Sequence, residues 1–373
     1  MNAPAIAIVT TLSTALCASL DRRAFAVALA RLKHAIAHRA ALPALEAVLL
    51  AGTDDTLHLT ATDGSVFVRV AVPATVTSSW ASLLVPLRRL LEVAKGPNAR
   101  LQLAGDHITV GGATHRLSTL PTMTFPTVPP PTGAVLFTLL RPTLARVLRQ
   151  TSYAMSCDDT RPHLASMLVE RRRKELVFVT TDGHRLAKVC VPDDGEEFTV
   201  LVGRRTIEAV ERMLAVAGGL VRLRRDGDRV WFTSGDEWVS GPVVDAVFPA
   251  YEQVIPAPAD GRLTMTTADL AVAIRAVAAR GTSTVTLRLD SIASAVTLAV
   301  DDGEGNLAEA TVATTFDGDV PKAIGINGLY LREMVDALAD EGATVTIQIT
   351  GELDPVRVEG SVNATAVVMP MQI

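Results

Sequence analysis

Residues 57–73 read LHLTATDGSVFVRVAVP, and residues 176–192 read LVFVTTDGHRLAKVCVP. In each, an apolar run meets Thr-Asp-Gly and leaves it as a second, alternating run that ends in proline, the pattern of strand, turn and strand. Asp63 and Asp182 stand 119 residues apart. Self-similarity at such an interval is the mark of a tandem repeat.

Two further markers recur at that period. FPTVPP from Phe125, FPAYEQVIP from Phe248 and VVMPMQI after Ala366 close successive copies, their prolines Pro126, Pro249 and Pro370 spaced by 123 and 121 residues. Proline-rich joints follow the first two, Pro129 to Pro131 and Pro256 with Pro258, as expected where few contacts cross a boundary. Each copy also carries two segments with apolar residues at helical spacing. DRRAFAVALARLKHAI, RPTLARVLRQTSYAM and TTADLAVAIRAVAAR begin near Asp21, Arg141 and Thr267. VPLRRLLEVAKG, GRRTIEAVERMLA and NGLYLREMVDALAD follow about 60 residues later. Alternating runs such as TVTLRLD and TVTIQIT supply the strands. The expectation is an α+β protein of three tandem domains, 1–131 (with 1–12 an extension), 132–257 and 258–373, each with two helices packed on antiparallel sheets of about eight strands in all. Side by side, the three would form one continuous sheet layer lined by helices.

A chain of 373 residues exceeds what a single core usually supports. It is 49% hydrophobic and 20% charged but only 4% aromatic, so aliphatic side chains do the packing and disorder is excluded. Cys17, Cys157 and Cys190 lack any C-x-x-C spacing, which points away from a disulfide framework or zinc site and towards the reducing cytoplasm. Residues 1–20 are uncharged and end in small residues, like a secretory leader, but no Lys or Arg precedes the apolar part. Residues 13–20 therefore read as the start of a first strand. No other stretch reaches the length of a membrane span.

The net charge of −5 argues against a protein that coats nucleic acid over its whole surface. Its distribution is uneven. Over the six helical segments the charge is +9, so the rest of the chain carries −14. If the helices face a duplex, Arg22, Arg23, Lys33, Arg39, Arg88, Arg89, Arg146, Arg149, Arg204, Arg205 and Arg212 are candidate phosphate contacts, giving attraction that is independent of sequence and sensitive to salt. For any one of them the plainer reading is a solvated helix face. The last helix, at −3, runs against the trend. No recognition-helix motif is present, and aromatic residues are too few for a base-stacking platform.

Taken together, these motifs resemble one family. TTDGHRLAKVCVP resembles the segment A-T-D-G-H-R-L-A of the bacterial DNA polymerase III beta subunits, the beta sliding clamps; FPAYEQVIP resembles their F-P-D-Y-x-x-V-[LI]-P, and VVMPMQI their V-M-P-M-[RK]-L. HRAALPALEAVLL and HRLSTLPTMTFPTVP are similar to their clamp counterparts too. The resemblance covers nearly everything after residue 13. It implies a non-catalytic processivity factor without cofactor or metal, a head-to-tail homodimeric ring around duplex DNA. An ATP-driven clamp loader would open the ring, and the polymerase III alpha subunit and other proteins would dock through short peptides. Carried over position by position, the peptide pocket comprises Leu164, Thr181, Gly183, His184, Arg185, Leu186, Pro249, Val254, Asn327, Tyr330, Val367, Met369, Pro370 and Met371. Its Leu, Val and Met residues suit an adaptable apolar cleft, with Arg185, His184 and Asn327 as orienting polar groups. The subunit contact would include His115, Ala278 and Ala279, the alanines standing where larger aliphatics are usual, so less apolar area would be buried there. Gln253, Gln372 and Ile373 also depart from the family pattern.

Plainer readings of the same residues stand beside these. Thr181 to Leu186 also reads as a turn, and Met369 to Met371 as part of an apolar core strand. An enzyme reading would pair Asp182 with His184 as acid and base of a hydrolase, but no second acidic or histidine cluster, G-x-S-x-G, H-E-x-x-H or Walker motif accompanies them. His34 and His38 have metal-capable i, i+4 spacing without a third ligand. A clamp paralogue with an accessory or resistance role is a further alternative.

Overall fold

The two Thr-Asp-Gly segments fold in the same way. Asp63 Oδ1 accepts the backbone N–H groups of Ser65 and Val66 at 2.9 and 2.8 Å, while Thr62 Oγ1 accepts from Gly64 N–H and donates to the Val66 carbonyl. Asp182 Oδ1 likewise accepts from His184 and Arg185 at 2.9 and 3.0 Å, and Thr181 Oγ1 accepts from Gly183 and donates to the Arg185 carbonyl. Short polar side chains thus satisfy the backbone groups that leave the ladder. Gly64 and Gly183 sit at φ of 96° and 95°, which side chains disfavour. The strands on either side pair antiparallel, Thr62 opposite Phe67 and Thr181 opposite Leu186.

The computed structural model describes residues 15–36, 40–77, 81–215, 218–277, 284–301, 306–339, 342–360 and 363–373. Among these are six α-helices, two in each expected repeat: α1 (Arg22–Leu32), α2 (Leu87–Ala94), α3 (Arg141–Thr151), α4 (Arg204–Leu214), α5 (Thr267–Val277) and α6 (Gly328–Leu338). Eight, eight and nine strands accompany them in the three repeats. Local chemistry sets the helix starts. The Asp21 carboxylate accepts the Ala24 N–H at 2.8 Å ahead of α1, the Thr266 hydroxyl accepts the Asp269 N–H and donates to the Asp269 carboxylate at α5, and Asn327 caps α6. Each helix buries one apolar stripe, such as Phe25, Leu29 and Leu32 of α1 or Leu331, Met334 and Val335 of α6.

The described chain falls into two compact units, Met1–Leu140 with Glu208–Pro242, and Arg141–Ile207 with Val243–Ile373. The strands form three sheets and not the single continuous layer expected. One twelve-stranded sheet lies in the first unit; a nine-stranded and a four-stranded sheet lie in the second. Sheet partnership is non-local, so nothing in a strand's own residues announces it.

One joining rule organises these sheets. Each repeat has a four-stranded meander that ends, in space, on the strand after its hairpin turn: Phe67–Val76, Arg185–Pro192 and Leu307–Ala313. That strand's free edge takes the last strand of the following repeat. Phe67, Val68 and Arg69 pair with Ser240, Val239 and Trp238, and Arg185 to Val189 pair with Val368 to Ala364. The rule leaves two strands at sheet edges: Leu307–Ala313 of the third repeat, and Ala113–Arg116, the last strand of the first.

The first such join carries a buried ion pair. Arg31 of α1 donates two hydrogen bonds to Glu237, at 2.7 and 2.8 Å, and a third to the Met213 carbonyl, with the two side chains only 9% and 11% exposed. Removing one member strands the other's charge in the interior, so Glu237→Ala is expected to destabilise the protein by about 3–5 kcal/mol in urea unfolding. The double substitution Arg31→Met with Glu237→Leu should recover most of that loss.

Candidate functional site

The second join brings several of the pocket candidates side by side. Leu186 lies opposite Val367 and Arg185 opposite Val368, and beyond the ladder the Met369 N–H still reaches the His184 carbonyl at 2.9 Å. Pro370 cannot donate, and the next N–H, that of Met371, goes to the Gly325 carbonyl at 2.8 Å. Residues 369–371 are therefore fixed at both ends while their side chains face outwards. Met369 and Met371 are each 38% exposed, and Val254 is 47% exposed. Leu164, Thr181, Leu186 and Val367 are buried beneath; Leu186 and Val367 share one apolar cluster with Leu168, Val177, Val179, Leu201 and Tyr251. The second unit thus contains all the pocket candidates, with Gly183, His184 and Pro249 exposed and Asn327 and Tyr330 half-buried. The strand ends at Val368, so Val367 is core, whereas Met369 and Met371, which also read as part of a core strand, are surface residues.

Two polar candidates turn out to be engaged. Arg185 is 9% exposed, donates to Asp182 Oδ2 at 3.0 Å and Glu333 Oε2 at 2.5 Å, and lies 4.3 Å from the Tyr330 ring centroid and 5.5 Å from that of Tyr153. Its guanidinium thus ties Asp182 of the turn to Glu333 of α6. The Asn327 side-chain oxygen accepts the N–H groups of Leu329 and Tyr330 at 3.0 and 3.2 Å, which leaves its NH2 group for any incoming carbonyl. Burial pushes the phenols of Tyr153 and Tyr330 above the usual tyrosine range, so both stay neutral beside Arg185. Sequence gave no signal for Tyr153 or Glu333, because their tie to Arg185 exists only in space.

The same geometry removes the acid and base pair. One Asp182 oxygen accepts two turn N–H groups and the other accepts Arg185, while His184 stands exposed. Among the described residues no three His, Cys, Asp or Glu side chains converge as metal ligands. His38 lies outside the described residues, as do Arg39, Ala278 and Ala279. His115 is exposed on the edge strand Ala113–Arg116.

The basic candidates divide by environment. In the first unit Arg23, Lys33, Arg88 and Arg89 are exposed, with Arg89 paired to Glu92 at 3.0 Å. Arg22 is half-buried and reaches the Pro97 carbonyl, and half-buried Arg212 donates to the Glu208 carbonyl. In the second unit Arg205 is exposed, Arg146 half-buried, and Arg204 bonded to Asp159 at 2.7 Å. Arg149 donates to the Ala337 and Ala339 carbonyls at the end of α6, a favourable place for a cation, and so ties α3 to α6. It lines an open cleft of about 530 Å³ with Tyr153, Ala337, Glu333, Asp336 and two arginines not anticipated, Arg275 and Arg332. The acids of α6 prove to be partners: Glu333 of Arg185, and Asp336 of Arg275 at 3.4 Å.

The profile of the DNA polymerase III beta subunit N-terminal domain matches residues 17–129, and that of its central domain matches residues 138–250. The beta sliding clamp of Salmonella typhimurium is 30% identical over 346 residues, 90% of this chain and 94% of that one. That of Pseudomonas putida is 28% identical over 365 residues, 95% and 99% of the two. A solved structure of the Pseudomonas aeruginosa beta subunit, bound to griselimycin, superposes with a TM-score of 0.83 at 26% identity, covering 96% of this chain and all of that one. The C. crescentus beta sliding clamp gives 0.82 at 26%, over 96% and 99%. The fold defines a protein of tandem clamp domains. This chain belongs to the family of bacterial DNA polymerase III beta subunits, the beta sliding clamps.

Gly325 offers a direct test of how residues 369–371 are held. A Cβ there would lie 2.7 Å from the Met371 carbonyl oxygen, closer than any ordinary contact. Gly325→Ala is expected to abolish hydrogen-exchange protection of the Met371 amide while the Met369 amide, bonded to His184, keeps its own.

Proposed function

We propose that this chain acts as a DNA sliding clamp by closing head to tail with a second copy into a ring around duplex DNA. The joining rule carries the reading. Twice within the chain the strand after the hairpin turn accepts the last strand of the next repeat, and Leu307–Ala313 and Ala113–Arg116 are the two members without such a partner. An exposed edge strand is a template for pairing with another chain, and two complementary edges per copy generate a closed dimer. His115 on one edge, with Ala278 and Ala279, would belong to that contact. The three domains would be 1–131, 132–257 and 258–373.

Topology replaces affinity in such a device. The basic residues on the helices, among them Arg23, Lys33, Arg88 and Arg205, would touch phosphates weakly and without reading sequence, so the ring slides but does not leave. Clamp loader, polymerase III alpha subunit and other partners would enter through a short peptide in the apolar cleft, its side chains meeting Met369, Met371, Val254 and Pro249. The role is non-catalytic: Asp182 is consumed by its turn and by Arg185. Its place would be the cytoplasm, where DNA replicates.

Three measurements test this reading. Sedimentation at micromolar concentration should give a dimer, and Thr114→Pro or Thr311→Pro, each removing an edge N–H, should give monomer with unchanged circular dichroism. After loading on nicked circular DNA the protein should remain bound until the circle is linearised; loss at the same rate from circle and line would overturn the topological tether. The pentapeptide Gln-Leu-Asp-Leu-Phe should bind, with Met369→Ala plus Met371→Ala weakening it about tenfold or more. Unchanged affinity would remove the cleft assignment.

A further inference from the structure

Tyr251 lies outside every functional set assigned above, yet two exposed residues of the proposed cleft, Pro249 and Val254, are bonded to its main chain. Its N–H donates to the Pro249 carbonyl at 2.7 Å, and its carbonyl accepts the Val254 N–H at 3.1 Å. Residues 246–255 contain no strand, so no ladder fixes them. The Tyr251 side chain does. Its phenol O–H donates to Glu170 at 2.8 Å and accepts from Arg172, and both partners project from strand Ser166–Arg172. The Arg172 guanidinium and the Lys188 ammonium stand 5.4 and 5.7 Å from its ring centroid. Arg172 also pairs with Glu170 and with Glu252, the residue following Tyr251. The ring packs edge-on to Phe248 and joins Leu186 and Val367, the cleft floor, in one cluster.

We propose that Tyr251 is a positioning residue for the partner cleft: its phenol, held by Glu170 and Arg172, sets how far Pro249 and Val254 stand from Met369 and Met371. The proposal rests on the cleft reading above. Its physical basis is that an exposed apolar wall gains nothing from water-facing burial and must be held by something else. A hydroxyl fixed between a carboxylate and a guanidinium has one place to sit, and the main-chain bonds carry that place to the two wall residues. Burial and the adjacent Glu170 push the phenol above its usual range, so the hydroxyl remains a donor throughout neutral pH.

The test is anisotropy of a labelled Gln-Leu-Asp-Leu-Phe peptide on the full chain, with thermal unfolding alongside. Tyr251→Phe keeps the ring and removes the hydroxyl; it should weaken the peptide about fivefold to tenfold while the protein stays folded. Paired with Val254→Ala, it should cost no more than Tyr251→Phe alone, since the misplaced wall has already lost that contact. Paired with Met369→Ala, on the opposite wall, the two losses should multiply. Wild-type binding by Tyr251→Phe, with Met369→Ala impaired, overturns the positioning role alone. So does multiplication with Val254→Ala and Met369→Ala alike, which is the signature of general weakening. Wild-type binding by Met369→Ala overturns the cleft reading, and the positioning role with it.

Discussion

A β-strand has two edges, and the backbone groups of both must find partners when the strand is buried. In this chain the strand after each hairpin turn has one edge filled by its own repeat and, in the first two repeats, the other taken by the last strand of the repeat that follows, shared in the first repeat with its own first strand, Cys17–Asp21. That requirement makes the sheets run on across the proline-rich joints. It also delivers Met369 to the side of His184 and Met371 to Gly325, so the proposed cleft would be a by-product of completing a sheet.

The helices were legible because their signals are local. Apolar spacing and the residues ahead of each helix place the starts near Asp21, Arg141 and Thr267, and α1, α3 and α5 begin at Arg22, Arg141 and Thr267. The hairpins were legible too, since Asp63 and Asp182 need only their own turn. The distribution of strands over three sheets was not, because no feature of Ser240 says that it will lie beside Phe67. Among the cleft candidates, location was carried by the motifs, but role was not. Arg185 read as an orienting polar group; it is buried, and its partner Glu333 lies far away in sequence. Asn327 read only as an orienting polar group, and its side chain caps α6.

Charge behaved the same way. Arginines on one helix have quite different fates: Arg31 is locked to Glu237, whereas Arg23 is exposed. Counting charge per helix therefore does not tell which of its members are exposed. The acidic α6, which looked like an exception, holds two carboxylates that neutralise arginines of neighbouring elements. The remaining acids of the segment counted, Asp340 and Glu341, lie outside the described residues.

The join between Arg185–Val189 and Ala364–Val368 also has a temporal side. The two strands are separated by the whole third repeat, so one side of the cleft emerges from the ribosome long before the other, and contacts of such sequence separation form late. A nascent chain holding two finished repeats has only an unfilled sheet edge there. Recognition at the proposed cleft would thereby be reserved for molecules whose third repeat has folded, without any dedicated checkpoint.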